Sequence, residues 1–300
     1  MLLNINRKIL VHLALFAVAL FYAGNFSFAK WAMPQFISPT AFILLRVGAG
    51  MLFYLVHYLF FSKERIEQRR DHWQLFIAAF FGVAFNMTAF FKGLSMTSSI
   101  NASVLMLMAP IFVVIFSAIG NKSPIKPLVC FGIIVAFTGA ALLLDIFHFS
   151  FDNNGFWGDL LVMLNAISYA YYLYYVTRLL KKYNAMTITT FLFVYGFLMV
   201  FPIGISDFIN VSWITLPNQA IFAMIYVIVG ITILAYLLNA WALQNSNSTT
   251  VGSYIYLQPL LATLIAISLG MDTISKEKIG FGLLVILGLF LVNKGRNQNS

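Results

Sequence analysis

The chain has 300 residues, of which 61% are hydrophobic and only 9% charged, and its mean hydropathy is +0.90. Soluble domains carry about 25% charged residues, so this composition excludes a water-soluble globular protein and points to lipid as the solvent. The net charge of +9 then reports on orientation in a membrane rather than on a nucleic-acid partner, and the single cysteine, Cys130, excludes an internal disulfide or a cysteine-based metal cluster.

A helix needs roughly 20 apolar residues to cross the hydrocarbon core. In chain order the sequence predicts ten such spans, at 9–30, 38–61, 73–94, 98–119, 126–146, 156–178, 187–205, 219–243, 248–270 and 278–293. The connections are short and leave no room for a separate soluble domain. The first span follows Arg7 and Lys8 as a signal peptide would, but no small-residue cleavage site ends it, so it is read as retained. Span 1 carries Asn25, and span 2 carries Arg46, about 12 Å in from Ser38 at the helical rise. Twelve Leu, Ile, Phe or Val between residues 41 and 61 contribute about −0.3 to −0.6 kcal/mol each, against roughly +2.5 to +3.5 for a central arginine, so this span inserts despite Arg46. Span 3 carries Asn86, and span 4 carries Asn101 and Pro110. On span 6, Asn165, Tyr169 and Tyr172 share one face at i, i+4 and i+7; on span 9, Tyr254 and Gln258 are paired at i, i+4 beside Pro259.

Polar side chains are costly in lipid and turn toward the bundle interior or a water-filled cavity. Asn25, Arg46, Asn86, Asn101, Asn165, Tyr169, Tyr172, Tyr254 and Gln258 are therefore the candidate lining of a substrate pathway. The competing reading is that the amides hold helices together and the tyrosines only pack. Arg46 has two readings as well: with Lys30 and Lys92 it attracts a carboxylate or phosphate of the substrate, or it pairs with Asp145 or Asp159. No Asp or Glu falls at mid-membrane, and His12 and His57 sit near the inner boundary, so proton coupling is left open. Pro110 and Pro259 each remove a backbone donor in mid-helix and act as hinges or as static kinks. Gly132, Gly139, Gly282 and Gly288 predict close contact of spans 5 and 10, or a homodimer seam.

Lysine and arginine at the span ends set the orientation. With the N-terminus inside, the inner ends hold thirteen (Arg7, Lys8, Lys63, Arg65, Arg69, Arg70, Lys122, Lys126, Arg178, Lys181, Lys182, Lys294, Arg296). The outer ends hold four, Lys30, Lys92, Lys276 and Lys278, so both termini are expected in the cytoplasm.

The chain also repeats itself. Residues 94–111 and 243–260 share a pattern at an offset of 149, with Leu94, Ser99 and Pro110 on Leu243, Ser248 and Pro259, and Ser103 on Gly252. Each copy is a short polar link, an apolar helix with a proline about a dozen residues in, and then a glycine (Gly120, Gly270). Five spans is an odd number, so the second half enters the membrane inverted. The charges agree, because the link between spans 2 and 3 carries four cations and its counterpart from Asp207 to Gln219 carries none.

Tyr22-Ala23-Gly24-Asn25-Phe26 through Lys30, then Ser38-Pro39 and Leu45-Arg46, resemble the opening of the drug/metabolite transporter superfamily, specifically its ten-helix EamA-type permeases. Phe91-Lys92-Gly93-Leu94, Thr97-Ser98, Asn101-Ala102-Ser103 and Pro110-Ile111 are similar to that family's third and fourth helices, and Gly132 to Leu144 to its fifth. The resemblance covers nearly the whole chain. It implies an all-α membrane protein of two inverted five-helix repeats, 1–150 and 151–300, in the bacterial inner membrane. It departs from the family where Gly120-Asn121-Lys122 and Gly270-Met271-Asp272 stand in place of the frequent Gly-Glu after helices four and nine. The implied activity is export or exchange of small metabolites, often amino acids or related compounds.

No Gly-x-x-x-x-Gly-Lys-Ser/Thr loop, Gly-x-Ser-x-Gly elbow or His-Glu-x-x-His pair is present, so no catalytic residue, metal or cofactor is expected. The leading expectation is a secondary transporter whose partners are a small-molecule substrate and the bilayer. The alternative is a flippase for a lipid-linked or amphipathic molecule. A membrane enzyme or sensor has neither a catalytic constellation nor an output domain to support it.

Overall fold

The computed structural model describes residues 2–120, 122, 124–143, 153–245 and 254–297. Among the described residues the main helical segments, in chain order, are α1 Leu2–Ala32, α2 Pro39–Phe61, α3 Arg69–Met96, α4 Ser99–Gly120, α5 Pro127–Leu143, α6 Asn154–Leu180, α7 Ala185–Ile209, α8 218–244, α9 254–268 and α10 Lys276–Asn297, with a short 3₁₀ turn at Trp213–Thr215. There is no strand among the described residues. Seven helices (α1 to α4 and α6 to α8) are long and apolar enough to cross a membrane; α5 and α9 are shorter apolar helices. The predicted end of span 5 and start of span 9 fall at 144–152 and 246–253, outside the described residues. Ser248 and Gly252 of the repeat lie there too.

The helices begin where short polar side chains accept the first free amides. Ser38 accepts from Ala41 N at 3.2 Å, with Pro39 in the first turn; Ser98 accepts from Asn101 N at 3.1 Å; Asn153 accepts from Phe156 N at 3.2 Å; Asn184 accepts from Met186 N at 2.9 Å. Inside the spans the helices are not uniform. Phe80–Ala84 in α3 and Tyr226–Ala235 in α8 are π-helical, and the offset of 149 carries the first stretch into the second. The apolar pattern predicts regular helix at both places, because hydropathy does not distinguish i→i+4 from i→i+5 bonding.

The two prolines break their helices in matching ways. α4 is interrupted at Met106–Leu107, and α9 opens with a 3₁₀ turn at Tyr254–Tyr256. Pro110 and Pro259 each stand third in the helix that resumes, Met108–Gly120 and Leu257–Ser268. A proline ring clashes with the carbonyl four residues back, here Met106 and Ile255, which is where the regular bonding stops.

Packing follows the same pairing of halves. Among the partnerships are α5 with α10, α2 with α7, α4 with α9, α3 with α6 and α1 with α8, α4 with α6 and α1 with α9, α3 with α7 and α2 with α8. Exchanging each helix of the first half for its counterpart five places on maps each of these onto another of them, whereas α2 also packs on α3 and α7 does not pack as closely on α8. α5 and α10 come backbone to backbone where Gly132 and Gly288 cross: a Cβ on Gly288 would lie 2.4 Å from Ala136 N and 2.5 Å from Gly132 O. The glycine pair thus joins two helices of this chain. One continuous core runs through both halves, with Phe42, Tyr54, Phe91 and Phe193 among its fully buried side chains.

Candidate functional site

Two turns into α2, Arg46, 6% exposed, lies against α8. Its Nε donates to Thr232 Oγ1 at 3.0 Å, and its Cζ lies 5.4 Å from the centre of the Phe91 ring on α3. Thr232 sits in the π-helical stretch of α8, where its hydroxyl donates to the Val227 carbonyl at 3.1 Å. Tyr54 OH donates to the Thr232 carbonyl at 2.6 Å. Tyr22 on α1, Tyr54 on α2 and Tyr236 on α8 lie within electrostatic reach of the guanidinium, and Tyr169 and Tyr172 on α6 lie within reach of Tyr236. The Tyr169 and Tyr172 rings are 6.0 Å apart. Five helices from both halves thus bring one cation and five phenols together.

The polar atoms of this group divide into held and free. Tyr54 is held by Thr232. The hydroxyls of Tyr22, Tyr169, Tyr172 and Tyr236 and both Nη atoms of Arg46 have no hydrogen-bond partner among the described residues. They are also absent from the sealed unpaired side-chain atoms, which among the described residues are Asn25 Oδ1, Ser27 Oγ, Asn101 Oδ1 and Asn165 Oδ1. The free hydroxyls and Nη atoms therefore keep some accessible surface, and the four tyrosines are half-buried although they converge on a buried arginine.

The other candidates lie around this group. Asn86 and Asn165 face each other: Asn86 Nδ2 donates to the Asn165 carbonyl at 3.2 Å and Asn165 Nδ2 to the Asn86 carbonyl at 2.8 Å, a reciprocal clamp between α3 and α6. Asn25 is buried one turn from Tyr22. Tyr254 is at the far end of α1, where its hydroxyl meets His12 Nδ1 at 2.9 Å, and Gln258 is half-buried one turn on. Arg46 has no carboxylate partner among the described residues. Asp159 accepts from Thr97 Oγ1 and, at 3.0 Å, from Asn101 Nδ2 instead; Asp145 lies outside the described residues. Lys30 donates to the Thr97 carbonyl and Lys92 is exposed, so neither joins Arg46.

Both ends of the bundle carry polar ties between elements. At the end where α4 starts, Asp159 holds Thr97 and Asn101, Asp272 accepts from Ile100 N at 3.1 Å with Lys278 at 3.5 Å, and Asp207 accepts from Ser38 Oγ at 2.7 Å. Burial pushes the Asp272 carboxyl up, but the Ile100 amide, the Ser98 hydroxyl and Lys278 outweigh it and hold the group below its ordinary value. At the opposite end, Asp71 accepts from Lys182 and from Tyr183 OH (2.6 Å), Glu64 accepts from Asn184 N at 3.0 Å, and His72 meets Tyr195 OH at 2.7 Å.

Sequence reasoning missed Tyr22, Tyr54, Phe91, Thr232 and Tyr236. A signal was present for some of them. Tyr54 shares a helical face with Arg46 at i+8, and Thr232 and Tyr236 form an i, i+4 polar pair in an otherwise apolar run.

The pattern of the EamA-like transporter family matches this chain twice, over residues 9–145 and 156–294. An uncharacterized transporter of Archaeoglobus fulgidus is 26% identical over 96% of this chain and 98% of its own length, and a second from the same organism is 28% identical over 92% and 96%. The uncharacterized transporter YyaM of Bacillus subtilis is 23% identical over 93% and 92%. A solved crystal structure of a protein shares the fold at a TM-score of 0.63 with 17% identity, covering 97% of this chain and 99% of that one. A helical membrane chain matched in both halves and aligned nearly end to end with transporters belongs to the EamA-like transporter family of the drug/metabolite transporter superfamily, and is a transporter rather than an enzyme.

Proposed function

We propose that this protein is a secondary transporter, an exporter or exchanger of small metabolites such as amino acids or related compounds. It works by alternating access between two inverted five-helix repeats, 1–150 and 151–300, with ten spans in a bacterial inner membrane and both termini in the cytoplasm. The observation that carries this reading is the free polar group inside the bundle: two Nη atoms and four phenol hydroxyls without hydrogen-bond partners among the described residues and not sealed from solvent, on helices of both halves. Buried polar atoms are ordinarily paired, so a cluster left free in lipid is matched to something that comes and goes. The helix partnerships that exchange between the halves support the inverted repeat. The breaks before Pro110 and Pro259 support a pair of hinged helices in the two halves.

In this reading substrate enters while one end is untied, rests against the tyrosines and Arg46, and leaves after the other end releases. The test compares the metabolites in the medium of overexpressing cells with those from cells making Arg46→Gln at the same membrane level. At least one metabolite should accumulate with the native protein and not with the variant. Identical media, together with inside-out vesicles that move a labelled lipid and no water-soluble metabolite, would replace this reading with a flippase.

A further inference from the structure

Arg46 has most of its surface occupied and one edge left over. Its Nε is taken by Thr232 Oγ1 at 3.0 Å, and the Thr232 proton is already committed to the Val227 carbonyl, so this oxygen acts toward arginine purely as an acceptor. One face of the guanidinium lies over Phe91. What remains is the outer edge, where Nη1 and Nη2 present parallel N–H bonds and keep some accessible surface.

The grip on Thr232 is built from one face of α2. Arg46, Gly50 and Tyr54 recur at i, i+4 and i+8: the arginine takes the threonine hydroxyl, the tyrosine takes its carbonyl at 2.6 Å, and Gly50 makes room for its methyl. A Cβ on Gly50 would lie 2.5 Å from the Phe193 ring and 2.8 Å from Thr232 Cγ2, so the glycine makes room for both. Thr232 itself is fully buried. Such a grip orients the fork without satisfying it.

We propose that this open edge binds a carboxylate end-on, that the cargo is a monoanion with an aromatic or apolar body, and that Thr232 is the positioning residue that selects this approach. The inference rests on the transporter reading only in taking the carboxylate to be the cargo's own. A carboxylate is planar and spans the two parallel N–H bonds of a guanidinium. With Nε occupied, the side-on approach through Nε and Nη is closed. Charge sets the valence: the groups within electrostatic reach of Arg46 are tyrosines, and no second cation is among them. One carboxylate neutralises that charge, whereas a phosphate monoester, carrying close to two negative charges, would leave one uncompensated in a poorly solvated space. The rings of Tyr22, Tyr169, Tyr172 and Tyr236 supply the wall for the rest of the molecule.

The site is tested apart from transport, on the purified full-length protein, by modification with the arginine reagent phenylglyoxal and mass spectrometry of the Arg46 peptide. Benzoate, benzamide and phenyl phosphate share one ring and differ in charge. Benzoate should slow modification of Arg46 several-fold, benzamide should not, and phenyl phosphate should protect more weakly than benzoate. Thr232→Val should raise the benzoate concentration giving half-protection about tenfold, as expected for loss of one hydrogen bond to a charged group, and Thr232→Ser should restore it. Failure of Arg46 to react at reagent levels that modify Arg7, equal protection by benzamide, or better protection by phenyl phosphate would each overturn the proposal. Unchanged benzoate protection in Thr232→Val would overturn the role of Thr232. Protection by benzoate in a protein that moves no metabolite across proteoliposomes would keep the site and remove the transporter reading. Transport without protection would do the reverse.

Discussion

A lone guanidinium in lipid is sustained here by weak neutral contacts: a ring face, a hydroxyl acceptor and neighbouring phenols. Removing the charge relieves desolvation, so Arg46→Gln should insert and fold at least as well as the native chain. Its uptake should fall by about tenfold or more, because a charged hydrogen bond contributes roughly 1.5–3 kcal/mol. Arg46→Lys should not rescue uptake, since an ammonium cannot donate to Thr232 and offer a fork at once. Uptake kinetics at matched membrane levels decide both, and native rates in either variant would remove Arg46 from the mechanism. Arg46 was legible in the sequence because its insertion cost singled it out, and Tyr169 and Tyr172 because they form a stripe with Asn165. Thr232 was not legible. A threonine in an apolar helix ordinarily returns its hydroxyl to its own backbone, and only the π-helical stretch and the approach of Gly50 place this one before an arginine.

At the scale of the helix, hydropathy located the long apolar helices, seven of them long enough to cross a membrane, and missed their irregularities. The repeat of Pro110 at Pro259 pointed to both broken helices, since a ring that cannot donate and cannot clear the preceding carbonyl leaves few alternatives. The π-helical stretches had no such marker. If the breaks are moving parts, Pro110→Ala and Pro259→Ala should each raise thermal stability in detergent. Each should also slow transport by about tenfold with little change in half-saturation, as a restored bond of roughly 1 kcal/mol or more would stiffen the helix. Native rates in both would make the breaks static. The α5–α10 crossing gives a cleaner contrast. Gly288→Ala forces a methyl to within 2.4 Å of backbone, whereas at Gly282 the nearest atom is Val104 Cγ1 at 3.8 Å. Gly288→Ala should destabilise by about 1–3 kcal/mol and Gly282→Ala by little, read as midpoints of thermal unfolding.

For the whole molecule, polar ties join elements at both ends, and under alternating access those at a closed end would have to part. Above the unfolded carboxyl value of 3.8, the hydrogen bonds to Asp272 contribute in full, and they are lost only as pH falls further, through its lowered folded value. Hydrogen exchange over residues 99–105, corrected for intrinsic rates, should therefore be flat between about pH 8 and 5. Asp272→Asn should speed it about tenfold across that range, because a charged acceptor at the start of α4 is lost. A native profile that rises steeply by pH 6 would assign the closing of this end to another group.

The π-helical stretch of α8 also bears on how a change of length would be felt there. Insertions and deletions are readily absorbed in surface links. Between Tyr226 and Ala235 the turns are wider than 3.6 residues, so dropping one residue would let the segment tighten to a regular helix, and the tightening would offset most of the about 100° that the lost residue carries. Thr232 would then still face Arg46, its hydroxyl bonded four residues back instead of five. A variant lacking Val229 should thus reach the membrane and keep its uptake at matched membrane levels. The widened turns are slack for one residue inside an apolar span.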